Sequence, residues 1–324
     1  MSSCWIILKK IGKEIVMITF VQVIGTMLIV FFAMYSLFNQ SFSFSLIVAS
    51  IAVATAPAGL VLIIRELKAK GPLVDTILPV VAIDDALGIM AFSISLASVK
   101  LIEYGGEFSF LKILASPLIE IFGSLLLGAL LGFFLSYFSK RAKGENHLLS
   151  IVLAFILLSA GLSELLNLSP LLTAMMMGTM VRNLLVRSNR IFQSVSKFTP
   201  AIFILFFTLA GASLDIKILG QVGLLGIGYI LARILGKVLG AGAGAKMMGA
   251  HPNVSRYLGA SLLPIGGVSI GLVGIVANEL PNLAPKVSSV ILFSILVLDI
   301  IGPVLTRRAI LKSGEENGAL KKDR

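Results

Sequence analysis

Only one cysteine, Cys4, occurs in this 324-residue chain, which excludes a disulfide framework and a cysteine-based metal site. Histidine is almost as scarce. His147 and His251 both fall in connecting segments, so neither zinc nor redox chemistry is indicated and no cofactor is expected. Charged residues are few, at 13%, and acidic ones fewest, with 16 Asp and Glu against 27 Lys and Arg. What fills the chain instead is apolar: 57% of residues, a mean hydropathy of +1.01 and repeated uninterrupted runs long enough to cross a bilayer. Short segments of alternating polarity, the mark of a membrane β-barrel, are missing, whereas continuous runs rich in Leu, Ile, Ala and Gly suit bundled helices. The expected fold class is an all-α polytopic membrane protein embedded in the lipid bilayer.

Ten apolar segments can be drawn, near 14–38, 43–66, 72–101, 108–139, 147–166, 168–187, 198–214, 218–246, 254–279 and 286–306. The net charge of +11 would suggest nucleic acid in a soluble protein, but here the loops account for it and no nucleic-acid partner is expected. Lys9, Lys10 and Lys13 precede the first segment; Arg65, Lys68 and Lys70 follow the second; Lys140, Arg141 and Lys143 follow the fourth. Arg182, Arg187, Arg190 and Lys197 crowd the sixth-to-seventh connection, Lys246 and Arg256 mark the eighth-to-ninth, and Arg307, Arg308 and Lys312 open the tail. The intervening loops are uncharged, balanced or, with Glu164 alone, acidic. Every second loop is basic, which places both termini in the cytoplasm. The first apolar stretch is too long for the core of a signal peptide and lacks a small-residue cleavage site, so it should stay as a span. The polar tail, residues 313–324, reads as disordered.

Two adjacent acids, Asp84 and Asp85, interrupt an otherwise uncharged run. Each Asp at a helix centre costs roughly 2.5–3.5 kcal/mol on insertion scales, so such residues mark ion or proton paths. Neighbours on a helix point about 100° apart, so the two cannot share one environment. One can face a watery cavity and bind a desolvated monovalent cation while the other pairs with a cationic side chain. Burial and a neighbouring ammonium act on a carboxyl in opposite senses, so the pair can be poised to exchange H⁺ for a metal ion near neutral pH. A purely structural ion pair is the competing reading.

Two segments are broken at mid-span. Ala54-Thr55-Ala56-Pro57-Ala58-Gly59 interrupts the second, with Pro57 as breaker, and Leu263-Pro264-Ile265-Gly266-Gly267-Val268-Ser269 interrupts the ninth through Pro264, Gly266 and Gly267. Paired interruptions at matching places in two halves are the best sequence pointer to a transporter site, because half-helix ends offer backbone groups and dipole charge where lipid offers none. Pro and Gly are also common in membrane helices, which is the bland alternative for either break alone. Next to the second break lie Arg233 and Lys237, four residues apart and so on one helix face. A buried carboxylate is their expected partner. Lys237 suits a proton-coupled role better, since an arginine stays charged, although a lysine near a helix end can also snorkel. Glu120 reads as structural, and Asp299 as a core partner for Arg233. The small-residue repeats Gly236/Gly240/Gly244, Gly128/Gly132 and Gly267/Gly271 read as close helix packing, and Met175, Met176, Met177 and Met180 as interior filling.

The runs Ala54-Thr55-Ala56-Pro57-Ala58, Ile64-Arg65-Glu66-Leu67-Lys68-Ala69-Lys70-Gly71-Pro72 and Val80-Val81-Ala82-Ile83-Asp84-Asp85-Ala86 resemble the monovalent cation:proton antiporter-2 family, of sodium/hydrogen exchanger fold. Gly236-Lys237 and the later Pro264-Ile265-Gly266-Gly267 resemble its second repeat more loosely. The resemblance implies an inverted-repeat transporter, not an enzyme, in the inner (plasma) membrane, exchanging Na⁺ (ahead of K⁺) for H⁺. It implies that Asp85 binds the cation and the proton, that Asp84 pairs with Lys237, and that Thr55 sits beside the ion at the helix crossing. It further implies an elevator: core halves at 1–107 and 215–312, a linker helix at 108–141, and dimerisation helices at 142–214, in a homodimer.

The chain departs from the family at its start, where two or three helices that would complete the dimerisation domain are lacking, and at Ile265, where many exchangers carry a charge. A truncated, non-transporting fragment is therefore the main alternative. An intramembrane aspartyl protease also buries two aspartates, but on separate helices, which adjacent Asp84 and Asp85 cannot reproduce.

Overall fold

Helix follows helix along the described chain, which in this computed structural model comprises residues 2–104, 110–166, 168, 170–185, 188–212 and 217–318. Ten apolar segments become twelve α-helices because two of the segments are split at mid-length. They are α1 (Ser2–Phe32), α2 (Phe42–Ile51), α3 (Pro57–Glu66), α4 (Pro72–Tyr104), α5 (Phe110–Ser139) and α6 (Glu145–Leu165), then α7 (Pro170–Leu184), α8 (Asn189–Ala212), α9 (Lys217–Met247), α10 (Pro252–Ser261), α11 (Gly267–Glu279) and α12 (Ala284–Ser313). A wide turn at Ala33–Leu37 extends α1, and α9 is kinked at Gly223, where φ is +48°. Among the described residues six helices are long and apolar enough to cross a membrane. Among the described residues no strand occurs.

Local chemistry sets the boundaries. Ser41 accepts the Phe44 amide and starts α2; the His251 ring accepts the Asn253 amide and starts α10. Pro57 and Pro252 occupy the first positions of α3 and α10, where a missing N–H costs nothing. Gly314, with φ +72°, closes α12 in the left-handed conformation that favours glycine.

The chain divides into two compact units. One is Ser109–Ser213, built of α5 to α8; its core is Leu131, Leu135, Leu148, Val152, Met177, Val181 and Ile191. Gly128 and Gly132 of α5 lie against the α7 backbone at Thr173 and Met177, so that repeat does serve close packing. Of the methionines expected inside, Met177 is buried but Met175 is exposed. The side chain of Glu120 lies outside the described residues.

The other unit joins Met1–Phe108 to Leu214–Arg324. Its two halves repeat one order: a long helix, two half-helices, a long helix (α1 to α4, then α9 to α12). Large apolar clusters fill it, one running from Val30 and Met34 through Phe44, Ile47 and Tyr229 to Val287, Ile291 and Leu298. Gly236, Gly240 and Gly244 of α9 lie directly against Thr26, Gln22 and Ile18 of α1, whereas a Cβ on Gly271 would meet nothing within 4 Å. Exposed ion pairs link α12 to α3 through Arg307 and Glu66, at 3.2 Å, and α4 to α11 through Lys100 and Glu279.

The expected disorder of the tail fails for residues 313–318. Glu315 is 5% exposed and its carboxylate accepts the Leu73 and Val74 amides at 2.9 and 3.0 Å, capping α4. Its carbonyl accepts the Lys70 amide, the Asn317 amide donates to Leu67, and the Asn253 side chain holds the Ser313 carbonyl at 2.9 Å. The N-terminus of α4 leaves amides without helical partners, and a carboxylate answers them better than water would. Residues 319–324 lie outside the described ones.

Candidate functional site

Where α2 stops at Ile51 and α10 stops at Ser261, both chains run non-helically for five residues before α3 and α11 begin. These stretches, 52–56 and 262–266, meet: the Ala56 amide donates to the Pro264 carbonyl at 3.0 Å. Pro57 begins α3 and Gly267 begins α11, while Pro264 and Gly266 lie in the second break. Each interruption frees backbone carbonyls at the end of one half-helix and amides at the start of the next, so the crossing concentrates unpaired polar groups within an apolar body.

The charged residues of the spans answer those groups. Arg233 is fully buried and donates through Nε to Ala52, through Nη1 to Leu263 and through Nη2 to Ala54, at 3.0, 2.7 and 2.7 Å. One guanidinium thus holds carbonyls from both breaks, at the negative ends of both α2 and α10. The carboxylate partner expected for Arg233 is not there. Asp299 instead accepts the Ile265 amide at 3.1 Å, at the threshold of α11, and makes no ion pair with Arg233. Backbone carbonyls suit this arginine because its rigid fork can span three acceptors that an ammonium could not.

Lys237 is also fully buried, so it does not snorkel. Its ammonium lies 2.7 Å from Asp84 Oδ2 and 2.8 Å from the Thr55 hydroxyl, and it donates to the Val53 carbonyl. Thr55 in turn donates to Asp84 Oδ2 at 2.6 Å. Thr55, Asp84 and Lys237 therefore form one closed triangle beside the first break.

Sequence reasoning missed the fourth member. Gln22 of α1 is 0% exposed, and its amide, oriented to satisfy both ends, donates to Asp84 Oδ1 at 2.9 Å and accepts from Lys237 at 2.9 Å. A signal was present: Thr19, Gln22 and Thr26 recur at helical spacing in an apolar span, and all three are buried.

Asp85 stands apart. It is 3% exposed, yet its Oδ1 has no hydrogen-bond partner among the described residues. Two neighbours thus have opposite conditions, one carboxylate saturated and one with an open oxygen.

Residues 5–308 match the protein family described as "Sodium/hydrogen exchanger, transmembrane". The chain belongs to that family. This exchanger is therefore a multi-pass membrane protein of cation:proton exchange, not an enzyme. No curated protein matches its sequence. Among solved structures, it is similar to the sodium proton antiporter MjNhaP1 from Methanocaldococcus jannaschii at pH 8, with a TM-score of 0.73 and 18% identity over 94% of this chain and 80% of that one. An electron-microscopy structure of the same antiporter gives a TM-score of 0.70 at 18% identity, covering 94% and 79%. At that identity the likeness speaks for the fold, the inverted-repeat antiporter fold with two broken crossing helices.

Proposed function

We propose that this exchanger moves a monovalent cation, Na⁺ ahead of K⁺, in one direction and H⁺ in the other, with Asp85 as the group that binds each in turn. The observation that carries the reading is the contrast at the paired acids. Asp84 has both oxygens engaged by Thr55, Lys237 and Gln22, whereas Asp85 Oδ1 is buried and unpartnered. A buried carboxylate left ionised with an oxygen unpartnered is costly, so it favours whichever positive species reaches it.

The charge balance of the crossing supports the same reading. With every group ionised, Asp84, Asp85 and Asp299 carry three negative charges against the two positive charges of Arg233 and Lys237. One monovalent cation or one proton neutralises the remainder; a divalent ion would overshoot it. Two species that compete for one oxygen cannot both occupy it, and that competition, repeated on each side of the membrane, is exchange. In this reading Lys237 and Arg233 are the charge partners, and Thr55 lines the ion's position.

Alternating access would follow an elevator, in which the unit holding the crossing carries Asp85 from one side of the membrane to the other. Residues 142–214, beyond the linker helix at 108–141, then belong to the stationary part of a homodimer in the inner (plasma) membrane, with both termini cytoplasmic, as the basic loops favour. Na⁺ leads because the similar solved structures are described as a sodium proton antiporter.

Reconstituted protein assayed for cation-driven ΔpH dissipation, one cation at a time across a pH series, tests this. Na⁺ is expected to give the fastest dissipation. Faster exchange with K⁺ overturns the ion preference, and none with any monovalent cation overturns the reading itself.

A further inference from the structure

The double glycine repeat of α9 does more than let two helices touch. A Cβ on Gly240 would lie 3.0 Å from the Gln22 Cα, and one on Gly236 would lie 2.8 Å from the Thr26 Cα, so α1 sits backbone-to-backbone on α9. That approach sets Gln22 of α1 against Gly240, three residues along α9 from Lys237, and brings its amide to the Asp84–Lys237 pair, where it contacts both partners at 2.9 Å.

From this geometry we infer that Gln22 is a positioning residue of the exchange site, which bridges Asp84 and Lys237 and so reserves Asp85 as the carboxylate free for the cation. The inference rests on the exchange reading for what Asp85 does, but the bridge is defined by its own contacts.

The chemistry favours an amide at this place. An amide donates and accepts at once, so it can lie between a carboxylate and an ammonium without adding charge. A glutamate would only accept and would compete with Asp84 for Lys237; a leucine would do neither. Thr55 and Lys237 engage Oδ2 of Asp84, and the Gln22 amide engages Oδ1. Without Gln22 that oxygen is open, next in sequence to the open oxygen of Asp85, and the cation meets two competing carboxylates in place of one. Exchange would continue with altered affinity and altered proton competition. A merely structural glutamine would instead scale the amount of active protein and leave both unchanged.

Two measurements on the full chain test this. In proteoliposomes, Gln22→Leu is expected to change the apparent KM for Na⁺ by about threefold to tenfold, the effect of one hydrogen bond, and to displace the pH profile. A Gln22→Leu protein with wild-type KM and wild-type pH profile overturns the inference. In detergent, thermal unfolding compares Gln22→Leu in the wild-type background with Gln22→Leu in an Asp84→Leu/Lys237→Met background; Asp84→Asn serves as a second background if that double variant does not fold. The substitution is expected to lower Tm in the charged background and to lower it less, or not at all, where the pair is gone. Equal lowering in every background overturns the bridge. A wild-type protein that exchanges no cation contradicts the exchange reading alone, and the unfolding comparison then still decides the bridge.

Discussion

The Ala56 amide and the Pro264 carbonyl, 208 residues apart in sequence and 3.0 Å apart in space, join the two helix interruptions to each other. Everything costly in the spans gathers around that junction: Arg233 on three freed carbonyls, Lys237 on Asp84 and Thr55, and Asp299 on the Ile265 amide. The breaks and the buried charges explain each other, since unpaired backbone needs charge and charge needs partners.

Arg233→Lys is expected to destabilise the protein by about 2–4 kcal/mol, because one ammonium cannot reach carbonyls on Ala52, Ala54 and Leu263 and at least one is left buried without a donor. Thermal unfolding of the purified protein measures this. A Tm equal to that of the wild type would show that the guanidinium fork is dispensable.

Gly259→Ala probes the seat of Lys237. A Cβ on Gly259 of α10 would lie 2.5 Å from the Val238 Cα and 2.6 Å from the Lys237 carbonyl, so α10 must move away from α9 at the turn that carries the ammonium. Overpacking of this kind costs about 1–3 kcal/mol. Both stability and exchange rate are expected to fall, and an alanine variant unaltered in both would contradict the packing described.

Much of this was legible in the sequence. Asp84, Asp85 and Lys237 stood out because ionised groups in apolar spans are expensive, and the two breaks stood out because Pro and Gly recur at corresponding places in the two halves. Gln22 did not stand out, since a neutral amide costs far less than a charge and a lone glutamine is unremarkable until its neighbours are known. The acceptors of Arg233 were hidden for another reason: every residue carries a carbonyl, and only the path of the chain after Ile51 and Ser261 frees those of Ala52, Ala54 and Leu263. Glu315 looked like any solvated acid of a polar tail. Its role appears only once the fold brings the first amides of α4 beside it.

Glu315→Ala is accordingly expected to cost about 1–2 kcal/mol, the loss of a helix cap, with Glu315→Gln falling between the two. Hydrogen exchange at Leu73 and Val74 should quicken in the alanine variant. Unchanged protection there would contradict the cap.

Asp84→Asn removes the charge that meets Lys237 but leaves Asp85 in place. Exchange is expected to persist at a reduced rate or with altered charge movement per cycle, read as the response of proteoliposome transport to an imposed membrane potential. Complete loss, equal to that of Asp85→Asn, would mean that the two acids do not divide their roles.

Cation-dependent dissipation of a ΔpH by proteoliposomes, wild type beside Asp85→Asn, tests the central claim most directly. The wild-type protein should collapse the gradient when Na⁺ is added and the Asp85→Asn protein should not, although it folds and inserts equally well. Undiminished exchange by Asp85→Asn would contradict the account.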